Sequence, residues 1–89
     1  MKIFKLKEEL KSYLNYQEKD KIISFVPTMG ALHDGHLSLI LNAKQNSDLV
    51  ICSIFINPTQ FNNLKDLEKY PKTPNSDIKA LDNINCDVV

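Results

Sequence analysis

Ile22-Ile23-Ser24-Phe25-Val26-Pro27-Thr28-Met29-Gly30-Ala31-Leu32-His33-Asp34-Gly35-His36 is the stretch on which the fold turns. Its first five residues are mostly β-branched or aromatic, which marks a short strand that Pro27 is expected to stop. Thr28 to Gly35 reads as a loop, and it holds both glycines of the chain. From His36 the spacing changes. Leu37, Ile40, Leu41 and Lys44 share one helical stripe with Leu39 and Ala43 beside it, so a helix is expected to about Asn46. Asp34 or a neighbour is the expected N-cap.

Working outward, Leu6, Leu10, Tyr13 and Leu14 recur every three or four positions and predict an amphipathic helix over about Leu6 to Tyr16. Leu49 to Ile56 is nearly all apolar without alternation, the pattern of a strand covered on both faces, as in a parallel sheet. Asn57-Pro58 breaks it. Thr59 to Pro71 reads mostly as loop, with a helical turn around Leu64 to Lys69. Thr73-Pro74 opens a helix to about Asn83, with proline at the first position. Asp87-Val88-Val89 reads as a third strand. Alternating helices and strands imply a parallel sheet with right-handed crossovers. The break after two or three apolar residues leads us to expect the N-terminal part of a larger α/β domain.

Composition limits what such a chain does. With 89 residues it forms one small domain, burying roughly 60–65% of its unfolded surface. Eleven basic and eleven acidic residues balance, which argues against a nucleic-acid or membrane-surface partner but not against a small anionic ligand. No apolar run reaches the about 18 residues that span a bilayer. The N-terminus becomes charged at once, unlike a signal peptide. Cys52 and Cys86 lack metal-ligand spacing and are expected to be reduced, buried thiols of a cytoplasmic protein.

The loop from Pro27 to His36 lies at the carboxyl end of a parallel strand, where open α/β sheets take ligands. The helix after it offers unpaired N–H groups and a positive dipole end, suited to phosphate. Two imidazoles flank Gly35 and can both donate to one anionic group. Gly30 can supply a positive φ. The loop is neither a Walker loop nor Gly-x-Gly-x-x-Gly. Loop histidines are ordinarily just solvated, but the strand–loop–helix context and Gly35 weigh against that here. A metal site on His33 and His36 would need a third ligand, and the chain has no other histidine.

His-x-Gly-His after a strand resembles the nucleotidyltransferase superfamily. Taken with Ser53-Ile54-Phe55-Ile56-Asn57-Pro58-Thr59-Gln60-Phe61 and Tyr70-Pro71-Lys72-Thr73, the chain resembles the pantoate–β-alanine ligase family over nearly its whole length, most strongly from Ile22 onward. The resemblance implies a Rossmann-like α/β fold with flanking helices, of which residues 1–89 are the N-terminal half of the nucleotide-binding domain, the family's C-terminal domain being absent. It implies an ATP-dependent ligase that condenses pantoate with β-alanine through a pantoyl adenylate. It also implies Mg²⁺ with the ATP, a homodimer and a cytoplasmic location. By position, Met29, Gly30, Ala31, Leu32, His33, Asp34, Gly35 and His36 are the implied ATP-binding stretch. His33 and His36 are the implied catalytic contacts to phosphate, His36 matching the proton donor. Gln60 is implied to hold pantoate beside the β-alanine site, with Asn57 and Phe61 in the wall and Pro27, Thr28 and Met29 in the floor. No metal ligands are identified, although Asp34 and Asp77 are acidic candidates for water-mediated contact, with a cap or solvated-face role as the plainer expectation.

The chain departs from the family pattern at Lys72, where arginine is usual, and at residues 62–66, where only Asp66 matches. The family's later ATP loops and second pantoate glutamine have no counterpart. The first strand is therefore expected to keep an unpaired outer edge, and the 89 residues alone to bind ATP weakly or not at all, not to catalyse, and to self-associate or be only marginally stable. Two alternatives stand beside this: another nucleotidyltransferase-like enzyme, or a non-catalytic self-associating module.

Overall fold

In the computed structural model, residues 1–55, 63, 65, 68 and 73–89 are described. They form α1 (Lys7–Asn15), β1 (Ile23–Thr28), α2 (Asp34–Asn46), β2 (Leu49–Ile54) and α3 (Pro74–Asn83). The expected helices and the first two strands of this part of the chain are present, while the expected third strand at Asp87–Val89 is reduced to an isolated bridge at Val88. The expected turn around Leu64 to Lys69 lies largely outside the described residues, although Lys65 and Glu68 are helical.

β1 and β2 pair in parallel, from Ile23 opposite Leu49 to Thr28 opposite Ile54. In place of a third strand, Val88 makes an isolated parallel bridge on the far side of β2: Val88 N–H donates to Val50 O at 3.1 Å, and Cys52 N–H donates to Val88 O at 2.9 Å. Beyond it lies a segment that the periodicity did not foretell. Lys2 N–H donates to Asp87 O at 3.0 Å and Phe4 N–H to Val89 O at 2.8 Å, so the N-terminus adds a further parallel rung. It is very short and carries Lys2, features that suit a sheet edge.

Pro27 does not end β1. The strand runs on to Thr28, with Pro27 opposite Ser53. The carbonyls of Ile22 and Thr28 accept from Asp48 and Leu49, and from Phe55, on the β2 side. Backbone groups alternate sides along a strand, so Ile23, Phe25 and Pro27 turn theirs to the other edge. A missing N–H costs nothing there, and among the described residues only β2 pairs with β1. Ile23 and Phe25 are exposed on that strand, as expected of an uncovered edge.

The two faces of β2 feed two cores, and this explains its unbroken apolar run. Val50 and Cys52 pack with Ile40 of α2, Leu81 of α3 and Cys86. Leu49 and Ile51 pack with Val88 against Phe4, Leu10, Tyr13 and Leu14 on the α1 side. α3 ends in a left-handed Asn85 (φ 59°), with Asn85 N–H donating to Asp82 O and Cys86 N–H to Leu81 O. This is the Schellman pattern that satisfies a helix's last carbonyls. It turns the chain into the Asp87–Val89 segment, which Lys44 steadies at Asn85 O and Asp87.

Candidate active site

The crossover from β1 to α2 leaves the sheet at its carboxyl end. Thr28 begins the turn: its hydroxyl donates to Ser53 O at 2.8 Å and accepts from Gly30 N–H at 3.2 Å. Gly30 is buried with φ 80°, the positive φ expected of it, and Ala31 follows at φ 50°. Two left-handed residues in succession, one carrying a Cβ, need outside support. It comes from Asp77 on α3, which accepts from Ala31 N–H at 3.0 Å and Leu32 N–H at 2.9 Å. Asp77 is only 3% exposed. It is thus neither a cap nor a solvated acid, as the sequence suggested, and its oxygens are already occupied by donors.

His33, not Asp34, caps α2. Its Nδ1 accepts from Gly35 N–H at 3.0 Å, and its own N–H donates to His36 Nδ1 at 3.1 Å. The pair forms a capping box in which imidazoles replace the usual hydroxyl and carboxylate. Asp34 occupies the first helical position, exposed, where its charge complements the dipole. Gly35 is needed for space: a Cβ there would stand 2.8 Å from His33 Cε1 and 3.0 Å from Nδ1. Its absent side chain therefore leaves room for the His33 ring, a more local role than the approach of a ligand.

These bonds set the chemistry of both rings. A nitrogen that accepts from backbone carries no proton, so each neutral imidazole holds its proton on Nε2. Nε2, separated from Nδ1 by Cε1 in each ring, is the nitrogen left to donate. The ring centroids are 4.0 Å apart. The two rings thus stand side by side at the amino-terminus of α2, each with one N–H left to donate. Desolvation, and then the neighbouring His33, push the pKa of His36 below its ordinary 6.5, with Asp77 opposing them. The neutral, donating form is the one that this geometry keeps.

His33 and His36 thus come together as expected, with Met29, Gly30, Ala31, Leu32, Asp34 and Gly35 in the same turn and Pro27 and Thr28 at its base. Gln60, Asn57 and Phe61 lie outside the described residues, as does Lys72. Among the described residues no group of three His, Cys, Asp or Glu could hold a metal, and no helix is long and apolar enough to cross a membrane. Cys52 and Cys86 are buried free thiols. Burial, first of all, pushes Cys52 up to about 11 and Cys86 upward as well.

Fold and turn together define the class: a parallel α/β protein whose first strand–loop–helix crossover bears a His-x-Gly-His turn. The model of the pantoate-beta-alanine ligase family matches residues 2–89, and the chain belongs to that family. A pantothenate synthetase of Flavobacterium psychrophilum is 49% identical over 90 residues, covering 100% of this chain and 32% of its own. The crystal structure of a Francisella tularensis pantoate-beta-alanine ligase, complexed with beta-gamma ATP and beta-alanine, superposes with a TM-score of 0.95 at 49% identity over 99% of this chain and 34% of that one. The pantothenate synthetase of Thermus thermophilus gives 0.87 at 33% identity, over 99% of this chain and 30% of that one. The chain spans about a third of the length of the relatives it matches.

Proposed function

We propose that this chain forms the nucleotide-binding part of a pantoate–β-alanine ligase, which makes pantothenate from pantoate, β-alanine and ATP. The observation that carries this reading is the pair of neighbouring imidazoles at the start of α2, each with Nδ1 accepting from backbone and Nε2 left to donate, at the carboxyl end of β1, in a chain of this family. In the first half-reaction the pantoate carboxylate attacks the α-phosphorus of ATP, and the bond to pyrophosphate breaks. In the second, the β-alanine amine attacks the acyl carbon, AMP leaves, and the amine proton passes to solvent. Negative charge gathers on phosphate oxygens in the first step, where fixed N–H donors and a helix amino-terminus act most strongly. His33 and His36 supply those donors, and Met29 to His36 form the ATP cradle.

In this reading Gln60 holds pantoate through its amide, which both donates and accepts. Asn57 and Phe61 form the wall of that pocket, and Pro27, Thr28 and Met29 its floor. Mg²⁺ accompanies the ATP. The described residues do not fit a resident metal site, because Asp77 is committed to backbone donors and Asp34 stands alone, so no step is routed through the ion. A homodimer and a cytoplasmic location belong to the same reading. The 89 residues by themselves are proposed to bind ATP weakly and not to turn over, since β1 has one partner strand among the described residues.

The test has two parts. Isothermal titration of the 89-residue chain with ATP·Mg should show no micromolar binding; such binding would refute the weak-binding proposal. In a polypeptide of the relatives' length bearing these residues, His36→Ala should slow pantoate-dependent ATP–pyrophosphate exchange about 100-fold or more, and Gln60→Ala should abolish that pantoate-dependent exchange. Exchange indifferent to both substitutions counts against the function.

A further inference from the structure

We propose that Asp77 is a positioning residue, setting the His33–His36 pair from across the fold by holding the left-handed turn at Gly30 and Ala31. The proposal rests on the reading of residues 29–36 as an anion cradle and names what holds that cradle in shape. Asp77 stands in the first turn of α3, more than forty residues beyond the loop in sequence. Its Oδ2 accepts from Ala31 N–H, and its Oδ1 from Leu32 N–H and from the Thr73 hydroxyl at 3.3 Å. Thr73 caps no N–H of α3 with its side chain, so its hydroxyl is free to steady Asp77.

The two amides that Asp77 holds directly precede His33. Their direction fixes where the His33 backbone N–H points, and that N–H fixes the His36 ring. A Cβ on Gly30 would come within 3.1 Å of Asp77 Oδ2, so carboxylate and turn pack without slack. No neutral isostere offers the same pair of acceptors. Asparagine keeps one acceptor and turns an NH₂ donor toward a backbone N–H.

Amide hydrogen exchange in the 89-residue chain tests this. In Asp77→Asn, the amides of Ala31 and Leu32 should exchange about 10-fold faster or more, relative to those of Val50 and Cys52 in the sheet. The amides of His33 and Gly35, which Asp77 does not touch, should speed up with them. Faster exchange at Ala31 and Leu32 alone, or an equal rise that includes the sheet, overturns the proposal. The first would be a purely local bond, the second a purely structural one. If Asp77→Asn does not fold, Thr73→Val is read in the same way. It should speed Leu32 and His33 by about threefold over the sheet amides, and no such difference overturns the proposal. Inorganic tripolyphosphate then separates the two ideas. Added at a concentration high enough for weak binding to register, it should shift the ring resonances of His33 and His36 in the wild-type chain and shift them less in the variant. No shift in the wild type fails the cradle reading and leaves the exchange result to judge Asp77; equal shifts in both overturn the proposal.

Discussion

The inner core and the turn above it are held by opposite means, although both lean on α3. Below, Ile40, Val50, Cys52, Leu81 and Cys86 are packed out of water, and any one of them is supported by the rest. Above, Leu32 packs against that core, but the turn around it, residues 30–36, is fixed chiefly one hydrogen bond at a time. Leu81 and Asp77 stand one helical turn apart on the same face of α3, so a single helix serves as wall to the core and clamp to the site. Apolar burial is distributed and tolerant, whereas a polar clamp is specific and has no substitute.

The sharpest way to break this contrast is Leu81→Ala. A fully buried leucine at this position should cost about 2–5 kcal/mol, enough to leave so small a domain largely unfolded. Urea titration followed by circular dichroism checks it. If the midpoint hardly moves, the core is not the common support of sheet and turn. A smaller effect is expected from Gly35→Ala, which drives the His33 ring off its capping position. The loss should be about 0.5–2 kcal/mol, with the sheet amides still protected. Loss of sheet protection in step with the turn would show that the two regions are not separable.

The smallest effect is in pH dependence. His36 has a folded pKa below the ordinary value. As pH falls through about 6.5 the unfolded chain takes up a proton that the folded chain resists, so His36 adds stability above that pH and loses it below. A histidine NMR titration should place the His36 midpoint under 6.5 and move it upward when tripolyphosphate is added. A midpoint at or above 6.5 without anion removes the case for a neutral, donating His36.

Much of this was legible in the residues. β-branched runs, helical stripes and the proline at the start of α3 predict the elements, because each is a local preference. The His-x-Gly-His turn was legible as a site because it combines special residue types with a strand end. The rest was set by contacts distant in sequence. Nothing around Asp77 signals that a loop amide will meet it, although an acid four residues after Thr73 in a first turn is a faint sign. Lys2 to Phe4 reads as a charged start and joins the sheet, through a bridge at Lys2, only once Asp87–Val89 is beside it. Pro27 reads as a stop because a proline's effect depends on which edge its nitrogen faces.

That orientation also governs what the outer edge of β1 accepts. Ile23 and Phe25 offer amides there, and Pro27 offers none. A strand of any origin that zips onto this edge runs out of donors before it reaches the glycine turn, so the far end of β1 is closed to further pairing by a nitrogen that has nothing to give.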